Sequence, residues 1–268
     1  MHLPDWINAA ILGIVQGLTE FLPISSTGHL MVAGKWMGYD HEMFNVVIQI
    51  GSLLAVWWLF RNRIWRMIPF GPQATTKGRQ LLINVTVAFL PAMIAGYFGH
   101  HWIKTHLFSI KAIAAAMIAG GGVILLVEIL KPKAMVQSLD DIPFRLALLV
   151  GIGQCLALWP GVSRSGATII TGLAIGLSRT VAAEFTFLLA IPTMSAAAVY
   201  ELYKYRHTLD TDSLGMLAIG FIMAFLSAWV VVKWFIRFIQ NHTFNPFAFY
   251  RIVFGIFLFI LLSRGFFS

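Results

Sequence analysis

The chain has 268 residues, of which 59% are hydrophobic and 11% charged, with a net charge of +8 and a mean hydropathy of +0.80. Soluble domains carry about 25% charged residues, so this composition excludes an ordinary soluble protein and favours an integral membrane protein. The single cysteine, Cys155, excludes an internal disulfide and a multi-cysteine metal site. Because the basic residues flank apolar runs, the positive charge indicates membrane topology, and we expect no nucleic-acid partner.

Apolar runs long enough to cross a bilayer occur six times along the chain. They lie at about 44–60, 80–100, 111–130, 182–203, 214–236 and 245–263. Two further apolar segments, 5–40 and 143–180, are interrupted midway by proline and glycine. Broken helices are tolerated at membrane depth only where they are buried in protein or line a polar cavity. We therefore predict an all-α polytopic membrane protein, one domain over 1–268, with six transmembrane helices and two re-entrant helix–loop–helix hairpins.

The two interrupted segments are related in sequence at a constant offset of 138 residues. GIVQGLTEFLPISSTGH begins at Gly13, and GIGQCLALWPGVSRSGA begins at Gly151, so that Gln16 aligns with Gln154. The offset is about half the chain, which divides it into repeat halves of about 1–130 and 140–268. Repeated broken helices are typical of inverted-topology membrane proteins whose polar loops meet near the bilayer midplane. We predict that arrangement here.

The distribution of lysine and arginine predicts the orientation, since basic residues concentrate on the cytoplasmic side. Eleven of the 19 fall inside: Arg61, Arg63, Arg66, Lys77, Arg79, Lys131, Lys133, Arg145, Arg179, Lys233 and Arg237. Six fall outside: Lys35, Lys104, Lys111, Lys204, Arg206 and Arg264. The remaining two, Arg164 and Arg251, lie at membrane depth. The first hairpin then enters from outside and the second from inside, which places Glu20 and His29 near Arg164.

The first loop carries a polar set that is unusual in an apolar segment. Gln16 and Glu20 are four residues apart and share a helix face. A buried carboxylate needs a partner such as a cation, a metal or a hydrogen-bond donor. The alternative to a functional role is a structural ion pair, in which Glu20 and an arginine lock the two hairpins together. Three hydroxyl residues at 25–27 follow, and His29 beside them is a candidate acid or base.

The second loop, PGVSRSGAT from Pro160 to Thr168, has the composition of an anion site. Its glycines let the backbone approach a ligand, its hydroxyls are donors, and Arg164 offers a planar fork for phosphate oxygens. Packing between membrane helices also uses small residues, but it does not explain an arginine between two serines. Arg251, inside a predicted span, either pairs with an acid or lines the site.

The stretches QGLTEFLPISSTGH and LALWPGVSRSGAT resemble the two signature regions of the bacterial undecaprenyl pyrophosphate phosphatases of the bacitracin-resistance type. The resemblance extends over nearly the whole chain, including NVVIQIGSLLAV and EFTFLLAIP. It implies a multi-pass enzyme of the bacterial inner membrane that removes the terminal phosphate of a C55 lipid pyrophosphate. That reaction regenerates the lipid carrier for cell-wall synthesis and is linked to bacitracin resistance.

The resemblance also implies roles for particular residues. The (Glu/Gln)-x-x-x-Glu motif matches Gln16 and Glu20, and the loop Ser and His match Ser26 and His29. A Ser-Arg pair with a following Thr matches Ser163, Arg164 and Thr168. Dependence on a divalent cation, Mg²⁺ or Ca²⁺, is also implied; we predict Glu20 as its ligand, with Gln16 as a candidate second ligand. The glutamine in the first acidic position weakens any scheme with two carboxylates on one metal.

These inferences combine into one catalytic hypothesis. Ser26, deprotonated by His29, attacks the outer phosphorus while Arg164 and a cation on Glu20 neutralise the diphosphate. The predicted phosphate-binding residues are Gln16, Ser25, Thr27, Gly161, Ser163, Ser165, Gly166 and Thr168. Ser25 and water remain alternative nucleophiles.

The expected partners are a polyprenyl diphosphate and the bilayer, with a homodimer left open, and the active site is expected to open on the periplasmic side. The alternative function is transport: a flippase of polyprenyl phosphate or a carrier of another anion. In that scheme Arg164 anchors the substrate and Glu20 carries a proton.

Overall fold

The computed structural model describes residues 4–39, 42–130, 133–204 and 214–267. These residues form ten α-helices and, apart from one isolated bridge, no β-structure. In chain order the helices are α1 (Asp5–Glu20), α2 (Ser26–Met37), α3 (Glu42–Met67), α4 (Thr76–His106), α5 (Ile110–Leu130), α6 (Phe144–Gln154), α7 (Arg164–Ala174), α8 (Arg179–Lys204), α9 (Leu214–Asn241) and α10 (Asn245–Ser263). A 3-10 turn, Cys155–Leu158, continues α6.

The six predicted spans are confirmed. Helices α3, α5, α8, α9 and α10, together with the segment Thr76–Gly99 of α4, are long and apolar enough to cross a membrane. The remaining helices form two interrupted pairs, α1–α2 and α6–α7, at the positions where hairpins were predicted. The re-entry of these pairs into the bilayer stays a prediction.

The repeat seen in the sequence extends over all ten helices. Adding 138 to the bounds of α3, 42–67, gives 180–205, and α8 is observed at Arg179–Lys204. The same shift takes α1 onto α6 with its 3-10 turn, α2 onto α7, α4 onto α9 and α5 onto α10, within a few residues. Each half therefore contributes five matching helices.

The halves are interlocked, because the first helix of each half packs against the fourth helix of the other. Helix α1 packs on α9, and its counterpart α6 packs on α4. A Cβ added at Gly13 would lie 3.1 Å from the Cα of Gly220, and one at Gly151 would lie 2.6 Å from the Cα of Ala88. The repeated glycine thus serves close backbone contact between halves in both places.

Counterpart helices run antiparallel to each other where they meet. Gly255 of α10 packs against Ala114 of α5, while Gly121 packs against Ala248. Since α5 and α10 are counterparts, their antiparallel contact is what a two-fold axis perpendicular to the helices produces. The inverted repeat is confirmed for this pair of helices.

One end of the bundle, which we call the basic end, carries the ion pairs of the α3–α4 and α5–α6 loops. Arg63 lies 2.8 Å from Asp140, and Lys77 lies 3.1 Å from Asp141. At this end Arg179 also pairs with Glu128 at 2.5 Å. Three of the residues counted for orientation are not placed: Lys131 and Arg206 lie outside the described residues, as does the side chain of Lys104.

Candidate active site

The two loops that break the helix pairs meet at the centre of the molecule. Ser165, in the first turn of α7, donates a hydrogen bond to the carbonyl of Leu22 at 2.8 Å and approaches the carbonyl of Glu20 at 3.4 Å. In the second loop, Gly161 has a φ of 93° and lies against the backbone of Ile113, where a side chain would not fit. The predicted meeting of the loops is therefore present in the fold.

Each loop ends in a serine with the same uncommon backbone conformation. Ser25 has a φ of 67° and its counterpart Ser163 a φ of 72°, the only non-glycine residues in the described chain with positive φ. Such conformations are costly and persist where the surrounding structure requires them. The side chain of Ser163 caps α7 by accepting from Gly166 N at 3.1 Å, whereas that of Ser25 caps nothing. The hydroxyl of Ser25 therefore faces the site uncommitted.

Glu20 is the centre of a hydrogen-bond cluster. Its Oε2 accepts from Ser26 Oγ at 2.6 Å and from Gln16 Nε2 at 3.0 Å. Its Oε1 accepts from Arg164 Nη2 at 3.1 Å, in an ion pair whose side chains are only 8% and 12% exposed. A carboxylate within hydrogen-bond distance of a serine hydroxyl can take its proton. The structure thus joins Glu20 and Ser26 of the first loop to Arg164 of the second.

The guanidinium of Arg164 is only partly engaged by protein groups. Nη2 also contacts Met194 Sδ at 3.1 Å, Nη1 lies 3.4 Å from the carbonyl of Thr186, and the buried Nε has no partner. The group stacks over Phe21 at 5.6 Å. Arg164 also lines a cavity, and a guanidinium in such a position is suited to bind oxyanions.

Among the described residues no hydrogen bond joins His29 to Ser26, although the catalytic hypothesis has His29 take the Ser26 proton. The ring bonds the carbonyl of Ser25 through Nδ1 at 2.7 Å and the hydroxyl of Tyr250 through Nε2 at 2.6 Å. It also stacks on Phe254 at 4.2 Å. Because a carbonyl only accepts, Nδ1 must carry the hydrogen, and the neutral ring then accepts from Tyr250. In this arrangement His29 holds the Ser25 turn, and the carboxylate beside the Ser26 hydroxyl is that of Glu20.

Arg251 lies fully buried between the two loops and bonds only backbone carbonyls. Its nitrogens donate to Pro23 O of the first loop, to Gly161 O and Val162 O of the second, and to two carbonyls of α5, at 2.8 to 3.3 Å. Neither alternative given for Arg251 is observed: within the described ranges it pairs with no acid and borders neither cavity, and its side chain links the two loops through their carbonyls. A charged residue inside a predicted span indicates that Arg251 has a specific role, but it does not indicate that this role is to bind loop carbonyls.

Two connected cavities open onto the cluster. The inner cavity, about 190 Å³, is lined by Glu20, Ser25, Ser26, Thr27, Gly161, Ser163 and Arg164, among others. The outer cavity, about 500 Å³, shares Glu20, Ser26 and Thr27 and extends to Glu42 and Lys204. The first turns of α2 and α7 both border the inner cavity, and helix N-termini attract anions. This inner cavity is suited to a phosphate group.

Three of the predicted phosphate ligands lie behind the cavity wall instead. Ser165 and Thr168 are fully buried, and Thr168 bonds Arg164 O at 2.9 Å and accepts from Thr186 Oγ1 at 2.8 Å. Gly166 packs against Ser163. These residues border neither cavity, and their contacts support the loop that carries Arg164.

The residues around Glu20 suit a hard divalent cation with few protein ligands. The buried Oε1 of Gln16 has no hydrogen-bond partner, and it lies beside the carboxylate that Gln16 contacts through Nε2. Nowhere in the described ranges do three His, Cys, Asp or Glu side chains gather as a complete cage. Mg²⁺ commonly uses one or two protein oxygens together with substrate phosphates and water, which matches this set.

The fold and site define a polytopic membrane protein of inverted halves with a buried Ser–Glu–Arg cluster. A family model described as "Bacitracin resistance protein BacA" matches residues 9–257, and the chain belongs to that family. It is 48% identical to the "Undecaprenyl-diphosphatase" of Cupriavidus metallidurans, over 97% of this chain and 96% of that one. It is 47% identical to the protein of the same name from Methylococcus capsulatus, over 96% and 94% of the two chains. The resemblance inferred from the two loops is confirmed.

Proposed function

We propose that the chain is an undecaprenyl-diphosphatase, which hydrolyses undecaprenyl diphosphate to undecaprenyl phosphate and inorganic phosphate. The observation that carries this proposal is the 2.6 Å contact of Ser26 Oγ with Glu20, beside the Arg164 guanidinium and open to the inner cavity. A hydroxyl, a base and a cation at one point are what phosphoryl transfer requires. The relatives named above support the choice of substrate. Recycling of this carrier supports cell-wall synthesis and bacitracin resistance.

Ser26 is the proposed nucleophile, with Glu20 as its base. As the Ser26 oxygen bonds to the terminal phosphorus, its proton passes to Glu20, and the bond from that phosphorus to the bridging oxygen breaks. Lipid monophosphate leaves, and Arg164 stabilises the negative charge of the transferred group. Water then hydrolyses the phosphoserine and releases phosphate. Ser25 also borders the inner cavity, but its hydroxyl makes no contact with Glu20.

A divalent cation fits this site as a proposed cofactor. Glu20 and the free Oε1 of Gln16 would hold it, and it would neutralise charge on the diphosphate. Removal of divalent cations with EDTA is therefore expected to lower turnover, and added Mg²⁺ or Ca²⁺ to restore it.

The cavity is proposed to open on the periplasmic side of the inner membrane. The outer cavity is bordered by Glu42 at the start of α3, by Lys204 at the end of α8 and by Ile103 and Phe108 at the end of α4. These helix ends lie opposite the basic end, which the charge rule places in the cytoplasm. The apolar wall of the cavity, which includes Leu30 and Met31, suits the first isoprene units of the lipid.

The test is phosphate release from undecaprenyl diphosphate by purified protein in lipid nanodiscs. Ser26→Ala and Glu20→Gln should each lower kcat by at least about a hundredfold, the scale of acid–base and nucleophilic catalysis. Ser52→Ala is a matched control, since that buried hydroxyl bonds only its own helix at Ile48. Near-normal turnover by Ser26→Ala would exclude a phosphoserine at Ser26 and leave Ser25 or water as the nucleophile. No release by folded wild type would refute the phosphatase.

Transport remains the second candidate function, favoured by the antiparallel contact of counterpart helices. It predicts transfer of labelled polyprenyl phosphate between leaflets of a proteoliposome without release of phosphate. Parallel measurement of both products separates the two functions.

A further inference from the structure

The face of α3 that borders the cavities carries three polar side chains. Glu42, Asn45 and Gln49 are spaced three and four residues apart, which places them on one side of the helix, and all three line the outer cavity.

Gln49 occupies the junction of the two cavities. Five residues border both: Glu20, Ser26, Thr27, Gln49 and Pro160. Of these, Gln49 is the polar residue contributed from outside the two loops. The side chain is half-buried, and within the described ranges its amide makes no hydrogen bond. An amide that faces a cavity with its donors and acceptor unused is available to a ligand.

The repeat shows that the fold itself does not require an amide at this position. The counterpart of Gln49 in α8 is Phe187, which packs in the core against Phe21 at 5.7 Å and Phe60 at 6.1 Å. In the second half, this position of the repeat is therefore occupied by a large apolar side chain that packs in the core. In the first half it presents a neutral donor to the cavity.

We infer that Gln49 binds the phosphate nearer to the lipid, and so distinguishes a diphosphate headgroup from a monophosphate. This inference rests on the proposed function. With the terminal phosphate beside Arg164 in the inner cavity, the second phosphate lies at the junction, where the Gln49 amide donates to its oxygen. A neutral donor binds that phosphate without attracting it so strongly that the lipid monophosphate product is retained.

The test compares a diphosphate with a single phosphate as ligand. Gln49→Leu should raise KM for undecaprenyl diphosphate about tenfold, with kcat within about twofold. The concentration of methylenediphosphonate that halves activity should also rise about tenfold, while that of inorganic phosphate stays unchanged, because a single phosphate binds beside Arg164 and does not reach the junction where Gln49 lies. The control is Asn45→Leu, one turn away and lining only the outer cavity, with an expected change below twofold.

The inference is overturned if Gln49→Leu weakens phosphate and methylenediphosphonate equally, or if it matches Asn45→Leu. Should Gln49→Leu melt well below wild type, Gln49→Glu decides, because it keeps the shape and replaces the donor by a negative charge. Its KM should rise more than tenfold, and an unchanged KM would overturn the inference. Failure of the wild type to release phosphate would refute the proposed function, which is a separate outcome.

Discussion

Replacing Arg251 by methionine should destabilise the whole loop centre. The side chain is fully buried, and it donates hydrogen bonds to three loop carbonyls, those of Pro23, Gly161 and Val162. The two α5 carbonyls that it also contacts lie within a helix and keep their helical hydrogen bonds. Each loop carbonyl left without a donor costs about 1 kcal/mol, the low end of the range for buried unsatisfied groups. Three such groups amount to about 3 kcal/mol, which corresponds to roughly 6–12 °C in Tm for a chain of this size.

Thermal melting in detergent or nanodiscs measures this change, with phosphate release recorded on the same samples. Arg145→Met is the matched control, since Arg145 is exposed on the first turn of α6 and should leave melting unchanged. Activity of Arg251→Met should fall with stability, because the carbonyls that it binds belong to the loops carrying Ser26 and Arg164. A variant that melts and turns over like the control would refute the assignment of Arg251 as the fastener of the loops.

Two other predictions concern neighbours of the site. Tyr250→Phe leaves His29 without a partner at Nε2, so kcat should fall about tenfold with little change in melting temperature. The control Tyr97→Phe, at an exposed position, should match wild type. Equal kcat for the two variants would contradict the positioning role of the Tyr250 hydroxyl. Gly120→Ala places a methyl 2.7 Å from the central carbon of the Arg251 guanidinium and should lower the free energy of unfolding by about 1–3 kcal/mol. Gly122→Ala, with open space around it, should be neutral or slightly stabilising. Identical melting temperatures for the two variants would contradict this packing.

The spans and the meeting of the loops followed from sequence because their causes are local. Runs such as 111–130 are apolar throughout, and α5 is observed at Ile110–Leu130. The approach of Glu20 to Arg164 followed from the repeat and from the opposite entry of the two hairpins. Both inferences need only composition, spacing and an offset.

The roles of His29 and Arg251 could not be obtained in this way. Tyr250 is 221 positions from His29, and nothing in the sequence indicates that its hydroxyl meets the ring. Arg251 binds backbone carbonyls, which every residue possesses, so no partner residue marks the contact. Proximity within SSTGH suggested that His29 serves Ser26, but the helical start of α2 directs the two side chains to different neighbours.

The interlocking of the halves has a consequence for how the protein is assembled. Because α1 packs on α9 and α6 on α4, the apolar face of the first helix of each half is completed by a helix of the other half. These contacts, and the ion pair of Glu20 with Arg164, can therefore form only after both halves have been inserted. The first half supplies the carboxylate of Glu20 and the hydroxyl of Ser26, and the second half supplies the guanidinium of Arg164. A chain that lacks either half therefore lacks part of the cluster.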